Sequence, residues 1–255
     1  MEKIGMGRVE KYLKKKILED GAVHLTLIDP EKTNPKNAEK VCVEAEKAGT
    51  GAILLGGSTL GSTSHLDSVA EQIKKSVSIP LILFPGNLTG VTRFADAMFF
   101  MSLLNSLNPY FFIDVQALAS STVKMYNIEP IPLGYIIMGS GGAAGFVGYA
   151  RPIPYNRAEI AARYALAAQY LGMRFVYLEA GSGAEKPVPP EVISTVRREA
   201  DKVVLVVGGG IRDGKTAEKA VKAGANIIVT GTIVEKTDSV GKKLNEIVGR
   251  IRRNV

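Results

Sequence analysis

Few groups in this chain could do chemistry, and most of them stand at the ends of apolar runs. "YLEAGSG", residues 177–183, closes one such run with Tyr177 and Glu179. The two are separated by Leu178 and so project to the same side of a strand. Glu179 is the one carboxylate of this stretch. A carboxylate beside an anion site is unfavourable unless it engages something else, such as a substrate hydroxyl that it orients and deprotonates. The anion site is suggested by "VVGGGIRDG", residues 206–214. Three glycines in succession stabilise little by themselves, so they mark backbone that another group approaches closely. Gly208, Gly209 and Gly210 present bare N–H groups suited to a phosphate, and "IIVTGT" adds Thr230 and Gly231 as a second small loop. Ser182 and Gly183 supply a third. A lone triple glycine is as readily a plain turn; two such loops at successive strand ends make phosphate the better reading.

A second constellation lies early in the chain. "LTLIDPEK" ends with Asp29 and "ILLGGSTLGST" with Gly56, Gly57, Ser58 and Thr59. Asp29 before Pro30 would by itself suit the start of a turn. Paired with Ser58 beside a glycine loop, it suits Mg²⁺ and a diphosphate, since Mg²⁺ takes hard oxygen ligands and lets phosphate oxygens complete its octahedron. His24 and His65 lack metal-ligand spacing and read as structural or surface residues. Cys42, the only cysteine, sits in the helical pattern "AEKVCVEAEKAG" without a partner. Disulfides and thiolate metal sites are thereby excluded, and a reducing, cytoplasmic setting is expected.

These groups need a scaffold. The 255 residues are 46% hydrophobic, enough for one sizeable core, and no polar linker divides them, so a single domain over 1–255 is expected. Net charge is +7, which suits phosphorylated partners or contact with an anionic membrane surface. No recognition-helix or RNP-like motif accompanies it, so no nucleic acid is expected. Around "KYLKKK" the residues Val9, Tyr12, Leu13 and Ile17 fall on one helical face and the lysines mostly on the other. No signal peptide is expected at the N-terminus. Residues 131–150 carry no charge over a membrane-spanning length, yet their glycines and Pro132 indicate a strand running into a flexible loop rather than a span.

Strand-like runs end near Asp29, Leu55, Phe84, Leu103, Met138, Glu179, Val207 and Thr230. Helical patterns at about 35–48, 65–76, 109–126, 156–171, 190–199 and 213–224 separate most of them. A last amphipathic helix carries Val240, Leu244, Ile247, Val248 and Ile251. The alternation predicts an α/β fold, a (β/α)8 TIM barrel, with an open doubly wound sheet as the alternative. Between "LILF" and "AMFFMSL" stand only "PGNLTGVTRFAD", too short for a full crossover helix. A modified barrel is expected, its third helix missing or reduced. Beside that gap lie Phe99, Phe100, Tyr110, Phe111 and Phe112, which are expected to line a channel for a long hydrocarbon tail.

Taken together, "LIDPEK", "LLGGST", "LFPGN", "YLEAGSG", "VGGGIRDG" and "VTGT" make nearly the whole chain resemble the geranylgeranylglyceryl phosphate synthases of archaeal ether-lipid synthesis. It is more similar to that group than to the bacterial heptaprenylglyceryl phosphate synthases, chiefly in "MGSGGAAGFVGYARPIPYN" and the final "TGT". The resemblance implies a Mg²⁺-dependent prenyltransferase joining sn-glycerol 1-phosphate to a prenyl diphosphate, with geranylgeranyl the expected tail. It further implies that Asp29 and Ser58 serve the metal or diphosphate. Tyr177, Leu178, Glu179, Ala180, Gly181, Ser182, Gly183, Gly208, Gly209, Thr230 and Gly231 would hold glycerol phosphate, with Glu179 and Tyr177 at the chemistry. A homo-oligomer, dimer or hexamer, is implied as well. Two rivals stand: a phosphosugar isomerase or cyclase on the same barrel, which needs no greasy channel, and a non-catalytic polyanion-binding protein, which needs only the basic surface.

Overall fold

The computed structural model describes residues 5–59, 61–232 and 239–252. Eight parallel strands close into a barrel in chain order: β1 (Val23–Ile28), β2 (Ala52–Leu55), β3 (Leu81–Leu83), β4 (Ala97–Leu103), β5 (Glu129–Ile137), β6 (Phe175–Glu179), β7 (Val204–Gly208) and β8 (Ile227–Thr230). Strand β8 returns to pair with β1, with Val23 opposite Ile227 and Thr26 opposite Thr230. The fold is the TIM barrel, and the open sheet is ruled out.

Inside the barrel, alternate strand residues such as Leu25, Leu54, Ile82, Phe99, Leu133, Phe175, Val206 and Val229 form one core. Their strand neighbours face outwards against the helices in two further clusters. Most positions on both faces of the strands are thus dry, which is why the strand sequences read as largely continuous apolar runs rather than alternating ones.

The surrounding helices are α2 (Pro35–Lys47), α3 (Thr63–Ser76), α4 (Val115–Met125), α6 (Ala158–Tyr170), α7 (Pro190–Glu199), α8 (Gly214–Lys222) and a C-terminal helix, Val240–Arg252. Several start where the sequence supplies a side-chain cap: Asn34 accepts from the Asn37 N–H, Ser62 from His65 and Asp213 from Thr216. An extra N-terminal helix, α1 (Arg8–Asp20), closes the lower end of the barrel. There Glu129 accepts from the N–H groups of Val9 and Glu10 at the helix start, where the helix dipole favours a carboxylate. The fully buried Glu10 side chain is matched by Arg174 at 2.7 Å and Lys14 at 2.9 Å.

Between β3 and β4 the chain forms only a single 3₁₀ turn, Leu88–Gly90, so the third helix of the barrel is reduced as its spacing requires. Pairing is short there too: Ile82 lies opposite Ala97 and Leu83 opposite Met98, whereas β4 pairs with β5 from Ala97 to Leu103. Beyond Met98 the wall is split. The segment after β5, expected as a flexible loop, instead holds a short helix, α5 (Gly142–Val147). Its six residues follow the cap Gly141, whose φ of +73° is a conformation that only glycine adopts readily. Among the described residues no helix is long and apolar enough to cross a membrane.

Candidate active site

The glycine loops and the carboxylates meet at the C-terminal ends of the strands, where barrels of this architecture hold their active sites. Three adjoining spaces occupy this region. A pocket of about 50 Å³ is enclosed by Ser182, Gly183, Gly209, Gly210 and Gly231, with Arg212 at its edge. A larger cavity of about 220 Å³ runs across the barrel mouth, from Asp29, Gly56, Gly57 and Ser58 at one side to Glu179, Ser182 and Gly231 at the other. A groove of about 40 Å³ lies beyond it over the split wall, lined by Asn87, Val91, Phe99, Phe100 and Ala119 among others.

Gly209 and Gly210 have φ of +82° and +70°, so their backbone N–H groups are aimed as no side-chain-bearing residue would readily allow. A Cβ on Gly209 would also stand 2.6 Å from Glu179 Oε1. Gly208 has a different role from the one its sequence position suggests. A Cβ there would occupy the space of the Tyr177 hydroxyl, so this glycine makes room for the tyrosine.

Glu179 is 6% exposed and faces the barrel interior with Tyr177, as the strand alternation requires. Its Oε1 accepts from the Gly181 N–H at 2.6 Å and its Oε2 from the Tyr135 hydroxyl at 3.1 Å. Burial pushes its pKa above the ordinary carboxylate range, and the hydrogen bonds from Gly181, Tyr135 and Tyr177 counter this only in part. Both tyrosines are themselves shifted well upwards by burial and by the neighbouring Glu179, so both stay protonated as donors. Phe84 locks them, stacking on Tyr177 with centroids 5.3 Å apart and meeting Tyr135 edge-on at 5.5 Å. The arrangement is a buried, oriented carboxylate of raised basicity, open to both the anion pocket and the apolar cavity.

Other candidates are placed differently. Leu178 and Ala180 are fully buried in the outer layer beneath the helices; what Ala180 contributes is an N–H donated to the Gly208 carbonyl at 3.0 Å. The hydroxyl of Thr230 also turns outwards, where it meets His24 Nε2 at 2.9 Å, while the residue itself still borders the anion pocket. His24 in turn contacts Thr50 at 2.5 Å, and burial drives its pKa down to about 3, so it is neutral. It belongs to a buried polar cluster behind the loop, not to the loop's ligand face. Phe111 lines the main cavity, and Phe99 and Phe100 line the groove, but the structure brings Tyr110 and Phe112 to none of the three spaces. Phe112 is 42% exposed.

Two residues were not singled out by their sequence context. Tyr135 comes from β5, in a run that looked like plain core, and only the closed barrel places it over Glu179. Arg212 lies in the quoted glycine motif, and its guanidinium donates to the Gly183 and Ala184 carbonyls at 3.3 and 2.8 Å, placing a cation at the rim of the anion pocket.

At the opposite side, Asp29 caps the short turn Pro30–Lys32 by accepting from the Glu31 N–H at 3.1 Å, and Lys32 Nζ lies 3.3 Å from its other oxygen. A Cβ on Gly57 would stand 2.7 Å from Asp29 Oδ1, so the bare loop lets the carboxylate face Ser58 and the cavity. Among the described residues no three His, Cys, Asp or Glu side chains form a metal cluster. A cation here would need oxygens of a bound ligand, and the all-oxygen pair of one carboxylate and one hydroxyl fits Mg²⁺ with a diphosphate.

A (β/α)8 barrel that joins a glycine-walled anion pocket to an apolar cavity through one buried carboxylate defines a class of phosphate-anchoring barrel enzymes. Residues 14–250 match the PcrB family, and the chain belongs to that family. It is 52% identical over 241 residues to the geranylgeranylglyceryl phosphate synthase of Methanothermobacter thermautotrophicus, covering 94% of this chain and 97% of the relative. It is 54% identical over 245 residues to that of Thermococcus gammatolerans, covering 95% and 96%. The crystal structure of (S)-3-O-geranylgeranylglyceryl phosphate synthase from Thermoplasma acidophilum in complex with its substrate sn-glycerol-1-phosphate superposes with a TM-score of 0.91 at 40% identity, covering 94% of this chain and 98% of that one. The chain is an enzyme, a prenyltransferase, and the reading as a non-catalytic polyanion binder falls.

Proposed function

We propose that the chain catalyses Mg²⁺-dependent transfer of a geranylgeranyl group from its diphosphate to sn-glycerol 1-phosphate, forming the first ether bond of an archaeal membrane lipid. The observation that carries this reading is the sharing of Glu179, Ser182 and Gly231 between the anion pocket and the apolar cavity. A glycerol phosphate anchored by its phosphate then extends its free hydroxyl to Glu179, where C1 of a prenyl chain can meet it. An isomerase acting on a phosphosugar would need the first space and have no use for the second.

Glycerol phosphate is held by the N–H groups of Gly183, Gly209, Gly210 and Gly231, with Arg212 supplying positive charge at the edge. The prenyl diphosphate lies in the main cavity with its diphosphate at Gly56, Gly57 and Ser58 and its tail towards Phe111 and the split wall. Asp29 and Ser58 would hold the Mg²⁺, which when bound offsets the charge of the departing diphosphate. The C1–O bond breaks with its electron pair going to diphosphate, and the glycerol oxygen bonds to C1. Glu179 Oε2 or Oε1 takes the hydroxyl proton, while Tyr135 and Tyr177 hold the carboxylate in place.

Incubating the protein with Mg²⁺, labelled sn-glycerol 1-phosphate and prenyl diphosphates of several lengths tests the reading. The expected product is a prenylglyceryl phosphate, formed fastest from the C20 donor. Release of inorganic diphosphate without a labelled ether would overturn it. The groove gives a second test. Phe100 lines it from the outer side of β4, so Phe100→Ala is expected to admit donors longer than C20. Phe99 is fully buried against Phe175 at 5.8 Å, and Phe99→Ala is expected to cost about 3–5 kcal/mol of stability in chemical denaturation. An unchanged chain-length profile in Phe100→Ala would place the tail elsewhere.

A further inference from the structure

Behind the β8 loop lies a buried polar cluster that the proposed reaction leaves unused. His24 and Thr26 of β1, Thr50 ahead of β2 and Thr230 of β8 are all buried, His24 to 1% exposure. They occupy the outer side of the sheet, since Val23, Leu25 and Val229 fill its inner side. His24 Nδ1 meets the Thr50 hydroxyl, which lies 2.8 Å from that of Thr26, and Nε2 meets the Thr230 hydroxyl at 2.9 Å. A neutral imidazole donates from one nitrogen and accepts at the other, so one of the two hydroxyls receives the ring proton and the other donates to the bare nitrogen. Polar side chains buried and paired in an apolar layer add little stability over a well-packed apolar set, so the place of this cluster in the fold calls for a reason.

That place is the exit of β8 from the barrel. Thr230 is the last residue of β8 paired with β1, and Val229 the last paired with β7. The next residue, Gly231, lines both the anion pocket and the main cavity. Across the pocket, Gly209 and Gly210 are aimed by their own left-handed backbone. Gly231 has no such φ, and a Cβ on it would meet Leu27 only at an ordinary contact of 3.4 Å. Its bearing therefore depends on where Thr230 is held. We propose that His24 is a positioning residue for glycerol phosphate: from behind the sheet its ring fixes the Thr230 hydroxyl, and with it the turn of chain that carries the Gly231 N–H to the phosphate. The hydroxyl is committed to His24, so Thr230 serves the ligand through its place in the chain. Thr50 and Thr26 brace the far side of the ring. The inference deepens the proposed glycerol phosphate site and rests on that reading.

Two conservative variants separate the two sides of the ring. A glutamine amide reaches the place of Nε2 and an asparagine amide that of Nδ1, and each amide can donate and accept. His24→Gln therefore keeps the tie to Thr230, and His24→Asn keeps only the tie to Thr50. In calorimetry without prenyl donor, His24→Asn is expected to weaken sn-glycerol 1-phosphate binding about tenfold, the scale of one buried hydrogen bond, while His24→Gln stays close to wild type. Affinity for geranylgeranyl diphosphate with Mg²⁺ should be unchanged in both. Thr230→Val keeps the bulk without the hydroxyl and should match His24→Asn, and the double variant should bind no more weakly than either single one. Thr230→Val also carries the test if His24→Asn does not fold. A merely structural histidine would lower the melting temperature of the variants and leave their glycerol phosphate affinities alike, which would overturn the proposal. The chain has two histidines, so NMR of protein with isotope-labelled imidazole nitrogens gives a further readout. Glycerol phosphate should shift the His24 signals and leave those of His65, whose Nε2 meets the Pro30 carbonyl at 2.8 Å beside the Asp29 turn. Binding that leaves the His24 signals unmoved would equally overturn it. Wild-type protein that binds no sn-glycerol 1-phosphate would sink the parent reading together with this one; wild-type binding matched by His24→Asn and Thr230→Val would sink the role of His24 alone.

Discussion

Glu179→Gln is expected to lower single-turnover prenyl transfer about 10²–10⁴-fold, the usual worth of a positioned general base. Glutamine keeps the shape: its one carbonyl oxygen can still accept from the Gly181 N–H while its amide N–H donates to the Tyr135 hydroxyl oxygen, so the loop and the tyrosine stay in place. What disappears is the group that takes the hydroxyl proton. Glycerol phosphate affinity should change less, and loss of a negative charge beside the phosphate would tighten it.

The same substitution has a second readout of opposite sign. Burial raises the Glu179 pKa above its ordinary 4.5, so the folded protein holds the proton more tightly than the unfolded chain does. The stability this contributes is complete below about pH 4.5 and is lost as pH rises through the raised folded value. At neutral pH the wild type therefore carries an unfavourable buried charge, and Glu179→Gln should melt at a higher temperature there, with the difference vanishing in acid. The acidic limb of the wild-type rate profile should correspondingly sit above the normal glutamate range. A purely structural Glu179 gives the reverse: reduced stability, with near-normal turnover in the folded fraction. Wild-type single-turnover rates in Glu179→Gln would remove the base from the mechanism.

The parts legible in the sequence were those with a local signature. Glycine runs at strand ends, an acid ahead of proline and a twelve-residue gap where a crossover needs more each carry their own physical reason. The reduced helix and the split wall followed from chain length alone. What stayed hidden was parity and long-range contact. In β8 both faces of the strand are buried, so nothing in "IIVT" tells whether Thr230 looks into the mouth or out to His24. Tyr135 reaches Glu179 across forty-four positions, which only closure of the barrel decides. In the aromatic cluster, the π-helical turn changes which residues face inward, so Phe111 enters the cavity while Phe112 remains at the surface. Six glycines concealed α5, because propensity disfavours a helix there and tertiary packing against the cavity overrides it.

The second large effect is expected at the other end of the cavity. Asp29→Asn preserves the oxygen that accepts from the Glu31 N–H, so the Pro30–Lys32 turn keeps its cap, but it removes the only carboxylate lining that side of the main cavity. If Asp29 and Ser58 hold Mg²⁺ for the diphosphate, turnover at fixed Mg²⁺ should fall by at least about 10²-fold, because a metal at a departing charge is worth several kcal/mol and each 1.4 kcal/mol is tenfold. Part of the loss should return as Mg²⁺ is raised. Glycerol phosphate binding, measured by calorimetry without prenyl donor, should stay close to wild type, since the glycine pocket lies across the barrel mouth and Asp29 is absent from its lining. Asp29→Ala should lose the same activity together with the cap, so the difference between the two variants isolates the turn from the charge. An equal drop in glycerol phosphate affinity would collapse the two anion sites into one. Unchanged turnover and unchanged Mg²⁺ dependence in Asp29→Asn would leave Asp29 with its turn and remove it from the metal.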